Sequence, residues 1–248
     1  GSGGLDFIRG FAGEDTLSGG DGDDTIYGNE GDDNIQGGLG DDFLNAGEGN
    51  DTIEGGDGND KLYGEEGDDT LIGGVGDDFI RDGSGNDLIN AGIGNDDIRI
   101  EEGDDIVDAG DGSNFIYAYA GNNTITSGNG NDIIRTDFGN DIIDSGDGDN
   151  DVRSWGGNNT ITIGSGNDYV QTGDGDDTVN SGLGQNVLRL EEGTDLVDYN
   201  AATQGIRVTI ERGTDFTGDG DIDDRYFGVE NVRASNFDDF LFGFTGFE

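Results

Sequence analysis

Cysteine and histidine are both absent from this 248-residue chain, and 11 basic residues stand against 57 acidic ones, a formal net charge of -46. Without cysteine there are no disulfides and no thiol chemistry, although the compartment is left open. Without either residue there is no ligand for zinc, copper or iron of the usual kind, and no imidazole base. An acidic balance this large argues against nucleic acid or an anionic membrane surface as partner. Hydrophobic residues make up only 30% of the chain, and no apolar run is long enough to span a bilayer. Charge and hydropathy alone describe a disordered polymer.

Order enters through a period of nine residues, plainest at Gly19 to Tyr27, GGDGDDTIY. The glycines and acids make a turn, and the last three residues make a short strand. In this register Gly1 to Asp198 gives twenty-two consecutive nonamers with no insertion or deletion, the signature of a solenoid. The fourth position is always Gly and the eighth always Ile, Leu or Val. The sixth is Asp at Asp6, Asp15, Asp24, Asp33, Asp42, Asp51, Asp60, Asp69, Asp78, Asp87, Asp96, Asp105, Asp132, Asp141, Asp168, Asp177 and Asp195. It is Asn at Asn114, Asn123, Asn150, Asn159 and Asn186. Strand alternation turns the eighth position inward and the seventh and ninth outward. The next residue, first of the following unit, points in again; it is Gly or Ala early on, and Ile100, Ile163 and Leu190 fill it later.

The pattern G-G-x-G-x-D-x-U-x, with U aliphatic, resembles the repeat of the RTX (repeats-in-toxin) family over about four-fifths of the chain. That resemblance implies an all-β fold, a right-handed parallel β-roll: a two-sheet β-solenoid of 18 residues per coil, in which alternate units lie on opposite sheets. It also implies calcium between stacked turns, held by the sixth-position side chains and turn carbonyls. The residues agree, because carboxylates and carbonyls make a hard-oxygen site suited to calcium. Eleven turns along each edge leave ten gaps per edge, so up to about 20 calcium ions are expected. One buried aliphatic side chain per nonamer falls short of ordering nine residues, so binding and folding should be a single event. Weak sites of this kind fill at extracellular calcium levels, which places the chain outside cells or at a cell surface. Similar proteins leave bacteria unfolded through a type I secretion channel. The chain thus reads as a calcium-triggered folding and spacer segment of a larger secreted protein, with no enzyme chemistry of its own.

Odd and even units differ. All seven basic residues of the repeat region fall in odd units, six of them at the ninth position, together with a column of Phe and Tyr. This face, with Arg81, Arg99, Arg135, Arg153, Tyr63 and Tyr117, is the alternative functional surface, adhesin-like and suited to an acidic polysaccharide. Even units replace the second-position Gly with Phe11, Asn29, Glu65, Glu101, Tyr119, Asp137, Trp155 or Glu191, which disturbs the turn on that edge. Residues 1–198 form the roll. Residues 199–248 form a short non-repetitive C-terminal cap with a returning repeat at 236–248, since an open solenoid end exposes core and unpaired strand. Within it, Asp219, Asp221 and Asp223, with Glu230 eleven residues after Asp219, echo a helix-loop-helix calcium loop. Asp224 stands where that loop needs Gly, so the stretch reads as a plain acidic loop.

Overall fold

A unit of one turn and one short strand cannot bury its apolar face alone and becomes stable only when stacked. The computed structural model, which describes residues 3–202, 207–210 and 225–243, stacks the units into two twelve-stranded parallel sheets. Odd units supply the strands of one sheet, from Phe7–Ala12 to Val187–Arg189. Even units supply the other, from Thr16–Asp21 to Leu196–Asp198. Partners lie one coil apart, Ile8 on Ile26 and Leu17 on Ile35, as the expected 18-residue coil requires. There is no helix among the described residues.

The eighth-position side chains meet between the sheets. Ile26, Leu44, Leu62, Ile80 and Ile98 from one sheet, and Ile35, Ile53, Leu71 and Ile89 from the other, are fully buried. The first-position residues Ile100, Ile163 and Leu190 are buried with them, as alternation demands. At the N-terminal end Ile8 and Leu17 are only partly covered. At the other end Tyr199 is fully buried, and Ala202, Val229, Val232 and Ala234 pack beneath the last repeats.

Each sheet gains its twelfth strand from beyond the repeats. Arg225–Phe227 pairs with Val187–Arg189, and Asn231–Arg233 pairs with Leu196–Asp198. The irregular tail therefore supplies one more coil. Of the unit expected at 236–248, residues 244–248 lie outside the described residues, and its strand Phe240–Gly243 pairs with Arg207–Ile210 in a separate two-stranded sheet.

Stacking this tight dictates the invariant fourth position. Gly67 has φ +133°, and an added Cβ would run into the Gly49 carbonyl oxygen of the coil before it. The second position is less strict. Phe11, Asn29 and Glu65 hold the turn at φ 82°, 87° and 83° although none is Gly, a strain of about 1–3 kcal/mol each. Local bonds offset part of it: the Asn29 amide donates to the Gly28 carbonyl (2.6 Å), and the Glu65 carboxylate accepts from Asn45 Nδ2 (2.8 Å). The early even-unit turns thus keep their left-handed residue despite the substitutions.

Candidate metal centre

The sixth residue sits where the turn hands over to the strand, and the roll brings every such residue into two rows along its edges. Within a row, each backbone N–H donates to the Oδ1 of the sixth residue one coil later. Examples are Asp24 to Asp42 (2.7 Å), Asp42 to Asp60 (2.8 Å) and Asp69 to Asp87 (2.6 Å). One carboxylate oxygen is thereby committed to coil spacing. The even row continues past the repeats, since Asp177 donates to Asp195 (2.9 Å) and Asp195 donates to Glu230 Oε2 (3.0 Å). Glu230 therefore takes the place of an Asp in the ladder, in the twelfth coil; Asp219, Asp221 and Asp223, the rest of the helix-loop-helix echo, lie outside the described residues.

The second oxygen is the chemically exposed one. At Asp24, Asp33, Asp42, Asp51, Asp60, Asp69, Asp78, Asp87, Asp96, Asp105 and Asp195, Oδ2 is buried and accepts no hydrogen bond. Each of these side chains is at most 2% exposed. An uncompensated buried carboxylate costs several kcal/mol, and only a proton or a cation can relieve it where no donor reaches. The surroundings are oxygen. At Gly10, an added Cβ would stand 2.5 Å from Asp15 Oδ2 and 2.9 Å from the Gly28 carbonyl oxygen, so the first-position glycine leaves a cradle between carboxylate and carbonyl. A hard divalent cation such as calcium fits this donor set; a soft metal does not. Asp6 and Asp15, at the open end, are only half-buried.

Burial raises the carboxyls of Asp33, Asp42, Asp87 and Asp96 above their ordinary 3.8. Asp51 and Asp60 reach about 6, and Asp69 and Asp78 about 7. Desolvation is the largest cause, the backbone N–H bond opposes it, and the carboxylates one coil away add to it. In the absence of calcium, protons then substitute weakly for the ion. A raised folded-state value means stability fully present below the unfolded value near 4 and lost as pH rises through 6 to 7. In chelator, β ellipticity is therefore expected to be greater at pH 5 than at pH 7.5 and to vanish again on return; equal spectra at both pH values would contradict this.

The five Asn positions behave differently. Their Oδ1 accepts the same ladder bond, as in Asp96 to Asn114 (3.0 Å) and Asp132 to Asn150 (2.9 Å). The amide nitrogen then takes the place of Oδ2 and donates to turn carbonyls. Asn114 reaches Ser127 O (3.2 Å), Asn123 reaches Ala120 O (3.1 Å), Asn150 reaches Ser145 O (3.0 Å) and Asn159 reaches Gly157 O (3.1 Å). Asn186 reaches the Ser181 hydroxyl (3.3 Å). First-position hydroxyls assist in this half, where Ser127 Oγ donates to Asp132 Oδ2 (2.7 Å). The sequence carried this signal in the shift from Gly and Ala to Ser and Thr at first positions after Ala118, which the nonamer pattern alone does not rank.

A second, exposed ladder runs through the fifth positions. Fifth-position Asp and Asn side chains accept from the coil that follows, as in Asp41 N–H to Asp23 Oδ1 (3.0 Å) and Asn59 N–H to Asp41 Oδ1 (2.8 Å). It runs opposite in sense to the buried one. On the odd-unit face, Phe7, Tyr27, Phe43, Tyr63 and Phe79 form a continuous ring column with centroids 5.2–5.8 Å apart. The guanidinium groups there have partners within the face: Arg81 with Glu101 (2.6 Å), Arg99 with Asp97 (2.6 Å), and Arg135 (2.7 Å) and Arg153 (3.1 Å) both with Asp151. The Tyr117 hydroxyl donates to Asp137 (2.8 Å).

No curated protein matches the chain. A family model for the RTX calcium-binding nonapeptide repeat matches it in successive blocks from residues 1–26 and 9–44 through 63–98, 101–134 and 126–161 to 162–197. Those blocks span both ladders of sixth-position residues, including the Asn-bearing half. The stacked nonamers, the two parallel sheets and the buried carboxylate rows are thus the parts of one recognised unit, and the chain belongs to the family of RTX calcium-binding nonapeptide repeats.

Proposed function

We propose that the chain is a calcium-triggered folding module and rigid spacer of a secreted bacterial protein, delivered unfolded and made solid by extracellular calcium. The observation that carries this reading is the row of buried, unbonded Oδ2 atoms running through Asp24–Asp105 along both edges. The sixth-position Asp residues are the ligands, and those from Asp24 to Asp105 offer a free Oδ2 beside turn carbonyls. At Asn114, Asn123, Asn150 and Asn159 the amide donors already satisfy those carbonyls, and Asn186 is held by Ser181, so these five turns close by hydrogen bonds instead of an ion. Residues 199–248 act as the cap, through the twelfth coil and Glu230.

An acidic-polysaccharide or adhesin-like role for the odd-unit face has less support. Its cations Arg81, Arg99, Arg135 and Arg153 are paired with neighbouring carboxylates, and a glycan acid would have to displace them. Exposed pairs of this kind are worth about 0.2–1 kcal/mol each and serve here to neutralise a negative sheet.

A single ligand tests the proposal. Asp78→Ala removes one buried carboxylate, whereas Asp57→Ala removes an exposed one that makes no ladder bond. The calcium concentration at half-folding should rise about two- to threefold for Asp78→Ala and stay within about 1.5-fold for Asp57→Ala, because only the first is a ligand. Equal shifts in the two variants would reduce the carboxylates to undirected surface charge.

A further inference from the structure

One carboxylate lies outside the repeat pattern and inside the roll. The first position of the nonamer faces the sixth-position side chain of its own unit, and around this point it is Gly64, Gly73 or Ala91; at residue 82 it is Asp. Asp82 is fully buried. Its Oδ1 accepts the N–H of Gly83 (2.5 Å) and the N–H of Glu101 one coil on (2.9 Å), which fixes the side chain. Its Oδ2 is buried and accepts nothing.

Two ladder residues share that space. Asp87 belongs to the same unit and Asp105 to the next coil, and Asp87 N–H donates to Asp105 Oδ1 (2.8 Å). The Oδ2 atoms of both are also buried and without a hydrogen bond. Asp82, Asp87 and Asp105 each bring an oxygen within 4.8 Å of the other two, and no other trio of acidic side chains comes this close among the described residues. The ordinary repeat gap has two such carboxylates. Three, held by backbone donors and shut away from water, make a site with one more negative charge at close range, where charge acts most strongly.

We propose that Asp82, Asp87 and Asp105 form a three-carboxylate cation site, a repeat gap with one ligand more than the repeat provides, that binds calcium more tightly than any other turn and fills first during folding. The inference rests on the reading of the ladder as a calcium ladder, but its third ligand comes from a position where the repeat has none. Ligand charge sets the affinity of oxygen sites in proteins, and the fixed orientation of Asp82 means the extra carboxylate is already in place when the ion arrives.

The test is calcium titration of the full chain by calorimetry and by competition with a chromophoric chelator, on the natural sequence and on Asp82→Gly and Asp82→Asn. Glycine is what the position ordinarily carries, so the first variant keeps the fold. The natural chain should show one ion bound about tenfold more tightly than the remainder. Asp82→Gly and Asp82→Asn should each lose that one ion's advantage while the other ions and the calcium-dependent β signal persist. A natural chain with no separate tight class, or a tight class surviving in Asp82→Gly, would overturn the proposal. A tight class surviving in Asp82→Asn alone would overturn the role of charge. A chain that binds no calcium at all would instead defeat the ladder reading, which keeps the two failures apart.

Discussion

In chelator at pH 7.5 the chain is expected to give the circular dichroism of an unfolded polymer, and to recover a β spectrum when calcium is raised to ~1–10 mM. The structure explains why the loss should be nearly complete. Each coil buries two aliphatic side chains and little else, with Gly or Ala filling the first position over much of the first half. Against that stands the ordering of eighteen backbone residues, many of them in turns where glycine has the most freedom to lose. Through Asp24 to Asp105 each coil also buries two carboxylate oxygens with no hydrogen bond, and the chain as a whole carries -46. Calcium answers the burial of carboxylate and the long-range repulsion at one stroke, which the apolar core does not touch. The measurement is ellipticity near 218 nm against free calcium; a β spectrum that chelation leaves intact would sink the reading.

The second large effect should come from the Asn turns. Replacing Asn114, Asn123, Asn150, Asn159 and Asn186 together with Asp removes five amide donors from the turn interior and puts five carboxylate oxygens in their place. At about 1 kcal/mol net per hydrogen bond, the variant should lose at least about 5 kcal/mol wherever calcium is too dilute to fill the new sites. Once calcium is abundant the same positions become ligands. The expected result is a folding transition displaced to higher calcium and steeper in calcium, with about five more ions taken up per chain. The natural chain should correspondingly bind fewer ions than its twenty gaps suggest. An unchanged ion count in the variant would mean that the Asn turns hold calcium through their carbonyl oxygens after all.

How much of this was legible in advance follows the reach of the period. A nine-residue repeat without insertion fixes which residues stack, so the two sheets, the Ile26 and Ile35 columns and the inward turn of Ile100, Ile163 and Leu190 follow from counting. Whatever depends on which partner a side chain chooses did not follow. Asn and Asp occupy one place in the pattern, yet Nδ2 donates where Oδ2 must accept, and in the function proposed above this difference decides whether a turn needs an ion. Glu230 could not be placed by counting because the coil that carries it arrives after an insertion; only the strand pairing of Asn231–Arg233 with Leu196–Asp198 brings it under Asp195. The odd-unit arginines looked like a binding face because the repeat shows columns within a sheet, whereas Arg81 and Glu101 meet from different positions of successive coils.

The two ladders also give the roll a polarity like that of a filament subunit. The buried one passes hydrogen bonds from each coil to the next, and the exposed one passes them back. Two copies placed head to tail could extend both, whereas head to head they would set donor against donor. Every coil is thus a template for the coil that follows, and nothing within the repeat unit itself limits the stack to twenty-two units. On the even edge the N–H of Asp195, the last sixth-position residue of the repeats, is taken by a side chain of a different length on a segment of a different register, Glu230. A chain cut short at Asp198 would keep the template and lose Glu230, and its natural product is a fibre of end-joined rolls.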